Sequence, residues 1–181
     1  MMSSENDRNT LRHHSRYITT HDADGKARFS SAIPEPAPVR KVLGGEMEFS
    51  LMYTTEGFPI SMKNDADMAT YEGHIATPPA ITIPGGTVCR TVDFPPAYMS
   101  PMHRTPSCDF GIVVEGEVEL VLDSGETRLM KRGDVAVQRG TNHAWRNTSG
   151  NEWARMVYVL QSAEKVIVKG KALEEDEGGI D

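Results

Sequence analysis

Cysteine, aromatic residues and long apolar runs are all scarce in this sequence. Only two of its 181 residues are cysteine, Cys89 and Cys108, which excludes a framework of disulfides as the main source of stability. No apolar run approaches the roughly 20 residues needed to cross a bilayer, and the first residues lack the apolar core of a secretory signal. We therefore expect a cytoplasmic protein with two free thiols and no membrane contact.

Concentrated positive charge is also missing. The net charge is −7, and no run of Lys and Arg is longer than two adjacent residues. These two features argue against a nucleic-acid-binding surface. With 25% charged and 38% hydrophobic residues, a chain of this length is typical of one globular domain with a single core.

The hydrophobic pattern is that of short strands. Along residues 117–122, Val118, Leu120 and Leu122 fall on one face, and the turn residues 123–126 follow. Residues 135–137 are apolar on both faces, which predicts a strand covered on both sides. Many short strands with close turns predict an all-β sandwich or barrel.

The sequence divides into four segments. Residues 1–15 are polar and aperiodic, and we predict that they are disordered. Residues 16–83 should form strands and loops that pack on a barrel made by residues 84–168. Residues 169–181 form an acidic tail, also predicted to be disordered.

The second segment contains three predicted elements. Residues 17–31 read as a β unit with a turn at 22–25, and residues 46–55 as a strand. Residues 65–72 are expected to form one helical turn.

Two stretches place a histidine near a turn. One reads HRTPSCDFGIVVEG from His103, and the other reads GDVAVQRGTNHAWRN from Gly133. A hairpin-like run between them can bring the two histidines together. This arrangement resembles the two motifs of the cupin superfamily, small β-barrels that often hold a metal in their mouth.

The correspondence can be followed residue by residue, and the first motif departs from the usual one at two of its three ligand positions. In the usual first motif, two histidines flank one residue and a glutamate follows; here His103, Thr105 and Asp109 take these three positions. In the second motif, His143 takes the histidine position. The resemblance spans about residues 84–160 and implies a double-stranded β-helix, or jelly-roll, barrel with extra N-terminal strands.

The resemblance also implies a site. Side chains at i and i+2 share a face of a strand, and the cupin arrangement would bring His103, Asp109 and His143 together in the barrel mouth. Two imidazoles and one carboxylate suit Fe, Mn, Ni or Zn. Thr105 is a poor ligand, but its hydroxyl can orient a water or substrate. We assign catalytic roles to His143, Asp109 and Thr105. A metal-free site stays open, with His143 as base and Asp109 orienting it.

Three further residues are candidates for substrate binding. Trp145 shares a face with His143 and can form a wall of the cavity. Arg90 and Arg155 can each bind an anionic group through the guanidinium fork. Arg155 is the stronger candidate because it alternates with valines in an apolar strand, where an unpaired charge is costly.

The family resemblance implies a reaction class. The look-alikes are small single-domain cupins of bacteria and filamentous fungi, which often occur beside small-molecule biosynthetic genes. We expect a metal-dependent enzyme that isomerises, dehydrates or decarboxylates a small oxygenated, polyketide-like metabolite next to a carbonyl. An Fe(II) dioxygenase with the same ligands and a non-catalytic small-molecule-binding barrel are the alternatives.

The N-terminal half implies an assembly. About eighty residues precede the motif strands, and their short strands need an apolar surface to cover or an edge to pair with. We expect a homodimer in which a segment within residues 16–55 packs on, or pairs with, the partner barrel.

Overall fold

The computed structural model of the protein describes residues 9–42 and 46–178. It consists of thirteen β-strands, one short 3-10 helix at Lys63–Asp65 and one α-helix, α1, at Ala66–Ala76. The strands are β1 (Thr19–His21), β2 (Ala27–Phe29), β3 (Val39–Val42), β4 (Met47–Thr55), β5 (Thr87–Phe94), β6 (Ser107–Glu115), β7 (Glu117–Leu122), β8 (Thr127–Lys131), β9 (Val135–Arg139), β10 (His143–Asn147), β11 (Ala154–Ser162), β12 (Ile167–Val168) and β13 (Lys171–Ala172).

Two antiparallel sheets make the barrel. One has six strands in the order β3-β4-β5-β11-β6-β9, and the other has three strands in the order β10-β7-β8. The β1–β2 and β12–β13 pairs form separate two-stranded ribbons. The predicted all-β barrel is therefore confirmed.

The core lies between the two sheets. On β11, Met156, Tyr158 and Leu160 alternate inward and are buried, as the period of two of a strand requires. Val113 from β6 and Trp145 from β10 pack in the same cluster. Each such buried apolar side chain stabilises the fold by about 1.5–3 kcal/mol.

The N-terminal segment contributes strands to the barrel itself. Strand β4 forms where a strand was predicted for residues 46–55, and it pairs with β5, so the six-stranded sheet extends into the N-terminal segment. The predicted helical turn is instead the eleven-residue helix α1. Its Tyr71 is fully buried and donates a hydrogen bond to the carbonyl of Leu51 at 2.7 Å, which fixes the helix on β4. No helix in the described part of the chain is long and apolar enough to cross a membrane.

Parts of both chain ends are held on the barrel. Residues 1–8 and 179–181 of the predicted disordered segments lie outside the described residues. In the described parts of these two segments, Asn9 donates a 2.6 Å hydrogen bond to Asp93, and Asp176 exchanges backbone hydrogen bonds with Arg104 at 2.6 and 2.9 Å. Residues 9–15 and 169–178 are thus tied to strands or neighbouring loops by contacts that the polar sequence did not reveal.

Strand β9 differs from our prediction. Val135 and Val137 are 54% and 53% exposed, because β9 is the edge of the six-stranded sheet and only Ala136 and Gln138 face the barrel interior. The prediction that both faces of this strand are covered was wrong.

Candidate active site

The two motif histidines lie next to each other, His103 in the loop before β6 and His143 at the start of β10. His103 and His143 form an isolated antiparallel bridge, in which the backbone N–H of each donates to the carbonyl of the other at 2.9 Å. The centroids of the two imidazole rings lie 4.3 Å apart. The bridge joins the loop before β6 to the start of β10.

The hydrogen bonds of the two imidazole rings define which ring nitrogen carries the hydrogen. His103 Nδ1 lies 3.0 Å from the carbonyl of Pro101, and His143 Nδ1 lies 2.9 Å from the carbonyl of Thr141. Because a carbonyl only accepts, each Nδ1 carries the hydrogen and donates it. Nε2 is therefore the unprotonated nitrogen of both rings, available as a base or as a ligand.

Both imidazoles are neutral at neutral pH. Burial, helped by the neighbouring His103, lowers the pKa of His143 to about 4. Burial also lowers the pKa of His103. The desolvated environment disfavours the charged imidazolium, so each Nε2 keeps its lone pair.

A buried carboxyl group lies in the same cavity. Asp109, on β6, is 5% exposed, and its Oδ2 accepts a 2.9 Å hydrogen bond from Ser107. The Ser107 hydroxyl also lies 3.0 Å from that of Thr105, which is buried as well. Burial raises the pKa of Asp109 to about 6, against the opposing effects of Ser107 and Arg90. Its Oδ1 is buried without a hydrogen-bond partner in the described structure.

A cation faces this carboxyl group without forming an ion pair. Arg90, on β5, has a buried Nε with no hydrogen-bond partner, and no carboxylate of the described residues forms an ion pair with it. Burial lowers its pKa, which Tyr158 and Asp109 partly offset, and a guanidinium keeps its charge in proteins. The Tyr158 hydroxyl stays neutral, because burial raises its pKa well above the usual range.

These groups line one cavity inside the barrel. It contains about 620 Å³ of empty space, part of it open to solvent. Six of the predicted site residues line it: Arg90, His103, Thr105, Asp109, His143 and Trp145. Sequence reasoning missed the polar lining residues Ser100, Gln138 and Tyr158. The alternation of Tyr158 with Met156 and Leu160 was the signal that could have found it.

Arg155 lies elsewhere. It has the opposite parity to Tyr158 on β11, and its Nε and Nη2 each donate to the carboxylate of Asp93 at 2.6 Å. Its Nη1 donates to the carbonyl of Arg12 at 2.7 Å. This contradicts our prediction that Arg155 contacts the substrate. The apolar strand does require a partner for the charge, and Asp93 supplies it.

The expected three-ligand metal centre is not assembled. Within residues 9–42 and 46–178, no group of three or more His, Cys, Asp or Glu side chains is placed to hold a metal ion. His103, Asp109 and His143 share the cavity, but they do not converge as a set of three ligands. The imidazole pair remains as a partial donor set, and Thr105 stands where the usual motif has a further imidazole.

The fold and motifs place this chain among known proteins. The cupin-domain family model matches residues 90–171. A cupin-domain-containing oxidoreductase, virC, of Hypocrea virens is 39% identical over 87% of this chain and 80% of its own length. The chain therefore belongs to the cupin family.

Two further comparisons concern different levels of similarity, one in sequence and one in fold. A phomopsin biosynthesis cluster protein, C', of Diaporthe leptostromiformis is 49% identical over 94% of this chain and 87% of its own length. The cupin domain of Cnp3 from Schizosaccharomyces pombe superposes with a TM-score of 0.50, covering 82% of this chain and 88% of that domain at 12% identity. The second likeness concerns the fold alone.

Proposed function

We propose that this cupin is an enzyme of small-molecule biosynthesis that transfers a proton next to a carbonyl of a small oxygenated, polyketide-like substrate. One observation carries the proposal: a neutral imidazole with a free Nε2, a carboxyl group with a raised pKa and a guanidinium without an ion pair line the same cavity. A base, an acid and a site for negative charge are the groups that such a reaction needs.

The chemistry balances without an oxidant. His143 Nε2 removes a proton from the carbon next to the carbonyl, the electron pair of that C–H bond forms a carbon–carbon double bond, and the π pair of the carbonyl moves to its oxygen. Arg90 stabilises the resulting enolate. Return of the proton to another carbon gives isomerisation. Loss of a hydroxyl group, protonated by Asp109, gives dehydration. Decarboxylation reaches the same kind of enolate by breaking the carbon–carbon bond to a carboxylate, which leaves as CO₂, and protonated Asp109 then supplies a proton to the enolate carbon.

The remaining groups position these three. His103 packs on the His143 ring, and its proximity helps to keep that ring neutral. Thr105 and Ser107 form a hydroxyl chain to Asp109 Oδ2, and Asp109 Oδ1 has no hydrogen-bond partner in the described structure. We thereby keep a catalytic role for His143 and Asp109 and give Thr105 a positioning role.

Relatives support the biosynthetic context. The name of the Diaporthe relative assigns it to the phomopsin biosynthesis cluster, and its identity of 49% over 94% of this chain supports a similar setting for this protein. We also propose a cytosolic location, in keeping with Cys89 and Cys108, which are both unpaired thiols.

A second candidate is a metal-dependent, redox enzyme. Its support is the pair of adjacent imidazoles, each with Nε2 free because Nδ1 donates to a backbone carbonyl, together with the oxidoreductase name of the Hypocrea relative. Fe would take these two nitrogens for redox chemistry, whereas Mn, Ni or Zn there would act as a Lewis acid, and water or substrate would supply the remaining ligands. Metal analysis of protein purified without a chelator tests it: one transition metal per chain supports this candidate, and less than a tenth of that removes it.

Deuterium exchange tests the first candidate. Wild-type protein is incubated with 3-oxooctanoate in D₂O, and exchange at the carbon between the two carbonyl groups is followed by NMR. We expect catalysed exchange that falls at least a hundredfold in His143→Gln, because general base catalysis contributes about 10²–10⁴. His21→Gln, on the exposed ribbon β1, is the matched control and should keep the wild-type rate. Exchange that survives in His143→Gln contradicts the proposal, and binding without exchange in the wild type indicates the non-catalytic barrel.

A further inference from the structure

A second pocket adjoins the catalytic cavity. It contains about 490 Å³ of empty space, part of it open to solvent. Its wall is mainly apolar and is formed by β4, β5, α1 and the loop after α1, with Leu51, Ile75, Pro78, Pro79, Ala80 and Val88 among the lining residues. No step of the proposed acid–base reaction involves this apolar surface.

The two pockets lie end to end along the same face of the six-stranded sheet. On β5, Val88 lines only the second pocket, Val92 lines only the catalytic cavity, and Arg90 between them lines both. On β4, Phe49 lines both pockets and Leu51 only the second. Because side chains at i and i+2 share a face, the two strands form one continuous floor, with Phe49 and Arg90 at the junction.

At the junction formed by Phe49 and Arg90, the polar lining of the catalytic cavity gives way to the apolar lining of the second pocket. Arg90 Cζ lies 5.7 Å from the ring centroid of Phe49, so the cation rests on the aromatic face at the boundary. The other polar groups of the second pocket are already engaged: Arg40 donates to the carbonyl of Ile75 at 2.7 Å, and His74 Nδ1 lies 2.8 Å from a threonine hydroxyl of β4. A ligand that enters this pocket therefore meets apolar surface.

We propose that the two pockets form one two-part substrate site for an amphiphilic acid. An anionic oxygen of the head group and the reacting carbonyl oxygen both face Arg90, the carbon that loses its proton lies next to His143, and an alkyl or alkenyl chain extends past Phe49 into the second pocket. The strand rise puts Val88 about 7 Å beyond Arg90, so the chain must reach at least that far. This inference rests on the proposed function and adds its substrate class.

Simple carboxylates serve as probes of the two parts. We would titrate the protein with straight-chain acids from butanoate to decanoate and follow the fluorescence of Trp145, which lines the catalytic cavity. Affinity should rise about three- to fourfold with each methylene that is buried in the second pocket. Arg90→Met should weaken all of the acids by at least tenfold, because every one of them loses the same charged contact.

A filled pocket isolates the contribution of the chain. Ala80 is exposed and lines only the second pocket, so Ala80→Phe should fill that pocket without disturbing the core. We expect this variant to bind decanoate at least tenfold more weakly and butanoate within twofold of the wild type. Ala27→Phe, on the exposed strand β2, is the matched control and should leave both affinities unchanged.

The outcomes separate this inference from the proposed reaction. A wild type that binds no acid, an affinity that is independent of chain length, or an Ala80→Phe variant that still binds decanoate like the wild type would overturn the two-part site. None of these results depends on turnover, so the deuterium-exchange test of His143 would stand or fall separately. Conversely, loss of the acid–base role with an intact chain-length dependence would leave the two-part site in place.

Discussion

His103 and His143 are forty positions apart in the sequence, yet their backbones pair directly and their rings lie 4.3 Å apart. The bridge holds both backbones, and each Nδ1–H is bonded to the carbonyl two residues before it. Protein contacts alone therefore set the position and the tautomer of both imidazoles. This preorganisation is what a base or a ligand pair requires, because no reorientation has to accompany the reaction.

Titration of His143 should make stability depend on pH. Its pKa is 6.5 in the unfolded chain and is lowered to about 4 in the folded protein, so between these values the unfolded chain binds more protons. Folding stability must then fall as the pH falls from 6.5 towards 4. We expect His143→Gln to remove this contribution and to gain about 2 kcal/mol relative to the wild type between pH 7 and pH 5.

Urea unfolding at the two pH values measures this difference. His21→Gln, at an exposed position, serves as the control and should follow the wild type. If His143→Gln and the wild type lose stability in parallel on acidification, the imidazole is not held neutral by burial.

The ion pair between Arg155 and Asp93 should be structural. Both side chains are buried, and the guanidinium donates two hydrogen bonds of 2.6 Å to the carboxylate. Arg155→Met leaves an uncompensated buried charge and should cost about 3–5 kcal/mol of unfolding free energy. The double variant Arg155→Met/Asp93→Leu should recover most of that loss. Chemical denaturation checks both, and a single variant as stable as the double would show that Asp93 needs no partner.

The exposed aromatic pair of the N-terminal ribbon is a candidate dimer contact. Tyr17 and Phe29 are 64% and 65% exposed, and their ring centroids lie 6.1 Å apart. Both belong to the segment 16–55 that we expect to pack on a partner barrel. We predict a dimer by light scattering at micromolar concentration and a monomer for Phe29→Asp, because a charge in an apolar contact lacks compensation. Phe58→Asp, at a site that is 91% exposed, is the control. A monomeric wild type would contradict the assembly.

The sequence was most informative where local pattern and motif spacing coincide. Alternation predicted strand β4, and the two motifs singled out His103, Asp109 and His143, which line one cavity in the structure without converging as a set of three ligands. The sequence did not reveal the ion pair of Arg155, because its partner Asp93 is 62 positions away and because a period of two does not show which face of a strand is inside.

Pairing between strands that are distant in the sequence accounts for other differences between the prediction and the structure. Strand β4 joins the six-stranded sheet only through its register with β5, which local propensity cannot show. The edge position of β9 likewise depends on the whole sheet order, and it leaves Val135 and Val137 exposed where their apolar character predicted burial. The raised pKa of Asp109 needed its three-dimensional surroundings, because burial is its main cause.

Thr105 offers a direct test of how the imidazole pair relates to a metal centre. It is 4% exposed, lines the cavity with both histidines, and stands at the position that the usual motif gives to a histidine. Thr105→His would supply the third imidazole that the described residues lack. We expect Zn²⁺ affinity, measured by calorimetry, to rise at least tenfold, and the deuterium-exchange rate to fall because the added ring fills space meant for substrate.

The matched control separates ligand gain from loss of the hydroxyl. Thr105→Val keeps the shape and the β-propensity but removes the contact with Ser107, which lies 3.0 Å away. It should lower the exchange rate moderately without any gain in Zn²⁺ affinity. If Thr105→His melts at a lower temperature and binds Zn²⁺ no better than Thr105→Val does, then residue 105 does not point at the imidazole pair. Thr105 would then act only as a buried loop residue whose hydroxyl orders Ser107 and, through Ser107, the Asp109 carboxyl group.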